Sequence, residues 1–403
     1  MTKNLLILTD SFPYGASEQF LDTEIRFLEK SFERITILPL EKGIKGKKRD
    51  ISGKITILAP PYKKISARFN LLCKGLFNLS PVLPFLAEGI RSDVFTSAAR
   101  LRIWTAHFLV IRYLLSLEYL RDKQFLEGFG IIYFYWGLRW SQLIPFLPGD
   151  LRQKIVVRFH GSDLYEHTNN DYIPWRKQQI EGIGSAVVIS EAGRKYFSGR
   201  YPFFTGKMVL SRMGTPDHGL NPVLKRDVFT IVSCSNLYPV KRVELIAKAL
   251  SYVNLKIAWV HFGEGPTRAA VERQISLMPA NIICRLAGSV PNSELMKYYS
   301  ENPVDLFINL SSSEGVPVSI IEAMSFGIPV LATDVGGTGE LVSGKTGKLI
   351  PPGMDPGAIG EIITLLLKRE DSITLREASR EVWSNKSKAE MVYPPFIEYL
   401  LSL

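Results

Sequence analysis

The chain has 403 residues, a formal net charge of +10 and 46% hydrophobic residues, a length and apolar content that suit two domains of about 200 residues, each with its own core. Its three cysteines, Cys73, Cys234 and Cys284, are far apart and fit neither a metal-ligand pattern nor a disulfide framework, which points to core packing in a reducing compartment. The basic surface suits anionic lipid or phosphorylated ligands, and nothing interleaves basic and aromatic residues as a nucleic-acid module does, so nucleic acid is excluded as a partner.

In chain order, the apolar run near the start is too short for a signal peptide and reads as a first strand at 5–8. A loop with Gly15 and Ala16 follows, then a helix at 18–30 with Leu21, Ile25 and Leu28 on one face. Glu18 starts that helix, either as a cap or as a contact to an acceptor. A second strand is expected at 34–38. Residues 60–125 carry no strand pattern and read as a helical basic insertion. Within it Ile65, Phe69, Leu72 and Leu76 make a helical stripe beside Lys63, Lys64, Arg68 and Lys74. Two readings stand: packing on its own domain, or peripheral contact of 60–76 with an anionic membrane. No stretch reaches the roughly 18 apolar residues of a spanning helix, so the expectation is a cytoplasmic protein, with the inner membrane face as a possible site of contact.

Further strands are expected at 131–135, 154–159, 186–189 and 208–212. The third of these segments' predecessors, 157–163, places His160 at a strand end with Gly161 and Asp163 after it. Residues 213–226 are dense in turn formers and mark a boundary. A second series of strands follows at 228–234, 257–262, 282–286, 306–309 and 329–333, with helices at 242–252, 267–277, 293–300, 319–326 and 356–369. The tail, 386–403, reads as an amphipathic helix broken by Pro394 and Pro395. Strand–helix alternation on both sides of the boundary predicts an α/β chain with parallel, doubly wound sheets. The domains expected are 1–213 and 226–385, with 386–403 as a terminal helix.

Three segments carry candidate chemistry. Residues 235–242 follow a strand and open a helix with Lys241 and Arg242, and cations at a helix start are poor choices unless an anion binds there. Residues 259–266 run from a strand into a turn with Gly263 and Gly265. Residues 313–324 place Glu314 beyond a strand and Glu322 about two turns into the next helix, with Gly315, Val316, Pro317 and Val318 between. A helix start suits a phosphate, and neighbouring carboxylates accept hydrogen bonds from sugar hydroxyls. Together they suggest a pocket for a phosphorylated sugar at the carboxyl end of a parallel sheet.

The span from Glu314 to Glu322 resembles the paired-glutamate motif of retaining, nucleotide-sugar-dependent glycosyltransferases of family four, the group 1 glycosyltransferases. The likeness continues through Gly327, Pro329, Gly336, Gly337, Glu340 and Gly347. It implies the GT-B architecture: two Rossmann-like doubly wound domains facing across a cleft, with 386–403 crossing back to the first. It further implies that Glu314 holds the donor sugar and Glu322 the ribose. Lys241 and Arg242 meet the diphosphate, Gly263 and Gly265 lie near the nucleotide, and backbone around Val290 reads the base. His160 would face the reacting centre, with Asp163 beside it. Gly15, Ala16 and Glu18 would form a loop toward the donor phosphates and acceptor. The family usually has an arginine five positions before the lysine; here Asn236 stands in that place, and Arg242 is the candidate replacement.

The reaction implied is transfer of a sugar from a nucleotide-sugar, with retention, to a glycan or lipid-linked acceptor in surface polysaccharide synthesis. No Asp-x-Asp triplet occurs, so neither a metal nor another cofactor is expected. Rival readings are a nucleotide-sugar epimerase on the same fold, a non-catalytic sugar-nucleotide sensor or scaffold, and a glycoside hydrolase using the two glutamates as acid and nucleophile.

Overall fold

Runs of Leu, Ile, Val and Phe buried on both faces form two parallel sheets, as expected where helices cover a sheet on each side. They are seen in a computed structural model that describes residues 3–15, 18–42, 48–61, 82–115, 117, 122–224 and 226–403. The chain divides into unit 1, Met1–Ser211 with Pro394–Leu403, and unit 2, Arg212–Tyr393.

Unit 1 holds strands β1 (Asn4–Thr9), β2 (Arg34–Pro39), β3 (Ile55–Ile57), β4 (Ile131–Phe134), β5 (Ile155–Phe159), β6 (Ser185–Val188) and β7 (Lys207–Leu210). They lie in the order β3-β2-β1-β4-β5-β6-β7, every pair parallel. The order reverses between β1 and β4, where the crevice of an open α/β sheet forms. The Gln19–Ser31 helix buries Leu21, Ile25 and Leu28 against this sheet. A charged pair lies inside: Arg158 and Glu24 are both fully buried, 3.2 Å apart, and the Tyr133 hydroxyl donates to Glu24 Oε1 at 3.0 Å. Burial raises the Glu24 carboxyl above its ordinary range, against the pull of Arg158.

Within the insertion, the helices Val82–Arg91 and Ala98–Leu114 carry Phe85, Trp104, Ile111 and Leu114 into the unit 1 core. The stripe Ile65, Phe69, Leu72 and Leu76 lies outside the described residues, as does Cys73. No helix among the described residues is long and apolar enough to cross a membrane.

Unit 2 holds β8 (Phe229–Cys234), β9 (Ile257–Phe262), β10 (Ile282–Gly288), β11 (Leu306–Asn309), β12 (Val330–Thr333) and β13 (Gly347–Ile350). Their order is β10-β9-β8-β11-β12-β13, again all parallel. Here the reversal falls between β8 and β11. The core gathers Ile231, Trp259, Ile308 and Leu331 of the strands with Ile246, Leu250, Ile359 and Ile363 of the helices.

Both units are thus Rossmann-like and doubly wound, the composition of the GT-B fold. The expected strands and helices of both series are present, with ends moved by at most two residues. Two strands were not anticipated. β3 is three residues long, and β13 begins at Gly347, whose φ of 147° and closeness to β12 hide its strand character. The expected break at Pro394 and Pro395 is corrected: Ala389–Ser402 is one helix with both prolines inside. Each proline removes a backbone donor, a change that ordinarily costs about 3 kcal/mol. The apolar side of the same helix offsets it, since Tyr393, Phe396, Ile397 and Leu400 are buried. Within unit 1, Phe396 meets the Arg158 guanidinium at 4.8 Å, and the Tyr399 and Ser185 hydroxyls are 2.5 Å apart.

Candidate active site

The unit 2 site stands at the carboxyl ends of β8 and β11, where the strand order reverses. Asn309 ends β11, and the chain turns through Ser311 to Glu314. Lys241 closes a short 3-10 turn, Pro239–Lys241, after β8. These two loops are knit together: Ser312 N donates to Val240 O at 2.8 Å. The result brings Lys241 Nζ within 2.7 Å of Glu314 Oε1, and the Asn309 side-chain amide donates to the same oxygen at 3.3 Å. Only 10% of the Glu314 side chain and 26% of the Lys241 side chain are exposed. A partly buried, oppositely charged pair of this kind is preorganised for exchange: the lysine can turn to an incoming phosphate while the carboxylate accepts from a hydroxyl.

Glu314 is held by backbone fit as well as by charge. Gly337 N donates to Gly315 O at 2.7 Å. Gly336 has φ 53°, and a Cβ there would lie 1.9 Å from Glu314 O. Gly315 and Val316 line the same half-buried loop, Pro317 is buried at the N-cap position, and Val318 begins the Val318–Ser325 helix. On the β9 side, a Cβ on Gly263 would lie 1.8 Å from Ser235 O, so the 235–237 loop and the glycine turn pack backbone to backbone. Leu237 N donates to Glu264 O at 2.9 Å, and Gly263 N to Gly288 O at 2.8 Å. Gly265 sits against Leu237, and Val290 is half-buried just past β10.

Glu322 lies in the Val318–Ser325 helix with 7% exposure. Its Oε1 accepts from Asn292 Nδ2 at 2.6 Å. Burial pushes its carboxyl from 4.5 up to about 7, against the stabilising bond from Asn292. The two glutamates therefore differ in kind: Glu314 is paired with a cation, Glu322 with a neutral amide.

Arg242, expected as a diphosphate ligand, is engaged with the backbone of neighbouring loops. Its Nε donates to Leu310 O at 2.6 Å and its Nη2 to Ser311 O at 3.3 Å, while Nη1 donates to Pro352 O. With φ 48° it caps the Val243–Leu250 helix in a left-handed conformation. Each guanidinium nitrogen donates to a backbone carbonyl, so Arg242 struts the loops that present Lys241 and Glu314.

Unit 1 gathers its predicted residues at the ends of β1, β4 and β5. His160 follows β5, is 9% exposed, and stacks on Trp136 with ring centroids 4.2 Å apart. Asp163 is turned inward: its Oδ1 accepts from His160 N at 2.5 Å and its Oδ2 from Gly137 N at 2.6 Å. That makes it a brace for the strand ends, not a free contact. Glu18 likewise bonds to the backbone, and its side chain makes no helix-cap bond. It precedes the Gln19–Ser31 helix in a left-handed conformation, and its carboxylate accepts from the backbone N–H of Asp10, Ser11 and Phe12 at 2.9, 2.8 and 2.6 Å. A short polar loop leaves successive N–H groups unpaired, and this carboxylate satisfies them. Gly15 has φ 72°, its carbonyl accepting from Arg49 Nε at 3.0 Å; Ala16 lies outside the described residues.

Sequence reasoning missed Asn292 and Asn309, which hold the two glutamates, and Asp10, Trp136 and Arg139 in unit 1. Asn292 follows a proline at a helix start and looks like a cap. The unit 1 residues are far apart in sequence and carry no motif. Among the described residues no group of three or more His, Cys, Asp or Glu is placed to hold a metal ion.

Comparison with known proteins places this geometry. Residues 221–389 match the family described as glycosyl transferases, group 1. Sulfoquinovosyl transferase SQD2 of Arabidopsis thaliana is 32% identical over 146 residues, covering 35% of this chain and 27% of that protein. The putative teichuronic acid biosynthesis glycosyltransferase TuaC of Bacillus subtilis is 26% identical over 220 residues, covering 52% of this chain and 54% of the relative. The chain thus spans about half the length of TuaC and less of SQD2. Among solved structures, Anabaena Alr3699/HepE in complex with UDP-glucose matches over 100% of both chains, with a TM-score of 0.63 and 15% identity, a likeness of fold. The likeness to the group 1 glycosyltransferases thus rests on residues 221–389, a little under half of the chain.

Proposed function

We propose that the protein transfers a sugar from a nucleotide-sugar to a hydroxyl of a glycan or lipid-linked acceptor, with retention, in the assembly of a surface polysaccharide. The observation that carries this reading is the Lys241–Glu314 pair, 2.7 Å apart, at the point of strand reversal inside the matched family segment. In this reading the diphosphate draws Lys241 away from Glu314. Lys241 then neutralises the charge that develops on the leaving group, which is where electrostatic stabilisation matters most. The freed Glu314 carboxylate accepts from hydroxyls of the donor sugar. The N–H groups that open the Val318–Ser325 helix add a partial positive charge near the phosphates. Glu322 accepts from the ribose hydroxyls, steadied by Asn292. The nucleotide lies along the turn of Gly263 and Gly265, with backbone near Val290 at the base. Unit 1 takes the acceptor, with His160 at its site.

Lys241 supplies the neutralising charge, so the proposed transfer runs without a metal or other cofactor. TuaC is named for teichuronic acid biosynthesis, which favours a polysaccharide product here, and HepE was solved with UDP-glucose, which favours a UDP-sugar donor. A cytoplasmic protein, in peripheral contact with the inner membrane face through 60–76, fits such an acceptor. The test is nucleotide release from UDP-, GDP- and ADP-sugars, with and without EDTA and a lipid-linked acceptor. Acceptor-dependent release from one donor that survives EDTA supports the reading. Conversion of donor without acceptor indicates an epimerase, and nucleotide binding with no turnover of any donor indicates a sensor.

A further inference from the structure

Unit 1 has its own reversal of strand order, between β1 and β4, the place where an open α/β sheet forms its crevice, and the polar cluster at these strand ends is anchored on Glu18. The carboxylate that ties down the backbone of Asp10, Ser11 and Phe12 also accepts from Trp136 Nε1 at 2.8 Å. Trp136 in turn stacks on His160 at 4.2 Å. Glu18 thereby holds the backbone of Asp10 and, through Trp136, the ring of His160 in one cluster, yet the Asp10 and His160 side chains are each left with unused capacity. Asp10 Oδ1 is buried and has no hydrogen-bond partner, and neither ring nitrogen of His160 has one. His160 Nδ1 only approaches Asp163 Oδ2, at 3.6 Å. A buried polar atom left unsatisfied costs about 1–3 kcal/mol, so three such atoms in one crevice mark positions for polar atoms of a ligand.

Resting on the transferase reading above, we propose that this crevice binds the acceptor, that Asp10 holds its hydroxyl, and that the acceptor end seated here is an uncharged sugar. The sign of the local charge decides the last point. Glu18, Glu41 and Asp163 all bear on Asp10, and Arg139 alone opposes them. Arg139 is already divided, with Nε 3.4 Å from Asp10 Oδ2 and Nη1 3.6 Å from Glu41 Oε1. A phosphate or carboxylate would meet net repulsion, whereas a hydroxyl meets an oxygen ready to accept from it. Burial lifts the Asp10 carboxyl to about 7, so near neutral pH it can either accept from or donate to a hydroxyl. The half-buried Trp136 indole offers an apolar face of the kind that accompanies polar groups in small-molecule sites. The left-handed backbone of Arg139, φ 59°, is strain of the sort that collects at such sites.

The test uses the full chain with ring-15N-labelled histidine; the chain has five histidines, so individual assignments are practical. Hexyl β-D-glucoside and hexyl β-D-glucuronide, which differ by one carboxylate, are titrated separately, as are UDP, GDP and ADP. Saturable movement of the His160 resonances with the glucoside, at least about fivefold tighter than with the glucuronide, is expected. Asp10→Asn, which keeps the backbone bond to Glu18, should weaken the glucoside about tenfold, the loss of one charge-assisted bond, and narrow the preference. Arg139→Gln, at a half-exposed side chain, should widen it. Equal or tighter binding of the glucuronide, unmoved His160 resonances, or unchanged affinity in Asp10→Asn overturns the proposal. UDP, read at His261 beside Ser235, keeps the two readings apart. UDP binding without a glucoside response sinks the acceptor site alone, and failure of UDP, GDP and ADP alike to bind sinks the transferase reading.

Discussion

Glu322 gives the sharpest test of the nucleotide site, because its burial makes donor binding depend on pH. Its carboxyl is raised from 4.5 to about 7 by burial, with Asn292 working in the opposite direction. Ribose hydroxyls donate to the ionised form, so the proton must leave before, or as, the donor binds. Below pH 7 that step costs about 1.4 kcal/mol per pH unit, and between pH 8 and pH 6 donor affinity should fall about tenfold. UDP-glucose is the right probe, because its diphosphate is a diester and does not titrate in this range. Calorimetry in buffers of different ionisation enthalpy should show a proton released on binding near pH 6. His261, beside the same loop, is lowered by burial to about 4 and stays neutral throughout. Asp10 titrates in the same range as Glu322, and Glu322→Gln separates the two by removing only the second.

The same shift has a consequence for stability, and its sign is opposite to that of a carboxylate in a salt bridge. Below pH 4.5 both native and unfolded chains hold the proton, and Glu322 imposes no penalty. Between 4.5 and 7 the unfolded chain alone releases it, so stability falls as pH rises, by about 3 kcal/mol in total once the native group has also ionised. Glu322→Gln should therefore raise Tm at pH 8 and leave it nearly unchanged at pH 4.5. The reasoning fails if wild-type affinity for UDP-glucose is flat from pH 5.5 to 8, or if Glu322→Gln keeps the slope.

The remaining predictions concern the loops around Glu314. Lys241→Met should weaken UDP-glucose by about 2 kcal/mol, as expected for a charge-assisted contact, measured by calorimetry at low and high salt. Glu314→Gln should leave UDP affinity within about twofold and reduce transfer by about a hundredfold or more, the scale of a lost group at the reacting centre; normal turnover would show that the pocket is misassigned. Arg242→Met removes three bonds to backbone carbonyls, so it should lower unfolding free energy by about 2–3 kcal/mol in denaturant titrations. Gly336→Ala forces a Cβ to within 1.9 Å of Glu314 O. It should lower both Tm and donor affinity, because the carbonyl can move only by displacing the glutamate.

What could be read from the sequence follows from how each unit builds its site. In unit 2 the key groups belong to short, contiguous loops: Lys241 closes the turn after β8, and Glu314 lies five residues beyond Asn309 at the end of β11. Such segments keep their residue types together, and strand–loop–helix periodicity predicts which end of the sheet they occupy. Side-chain direction was not legible. Lys241 and Arg242 are neighbours with the same charge, yet the lysine reaches Glu314 while the arginine, in a left-handed conformation, turns back onto Leu310, Ser311 and Pro352. Its φ of 48° is set by the fit of two loops, which no local pattern encodes.

In unit 1 the cluster draws on Asp10, Glu18, Trp136, Arg139, His160 and Asp163, contributed by three strand ends and the loops beyond them. Only the strand order β2-β1-β4-β5 brings these positions together, and that order is a property of the sheet, not of any segment. Of the side chains that stood out there, Glu18 and Asp163 turn out to satisfy backbone N–H groups, whereas His160 does not. The buried atoms left unsatisfied belong to Asp10 and His160. A carboxylate whose oxygens already accept hydrogen bonds from the protein has less capacity left for a ligand. Unused hydrogen-bonding capacity, visible only once every partner is placed, is therefore the better guide to where this unit binds.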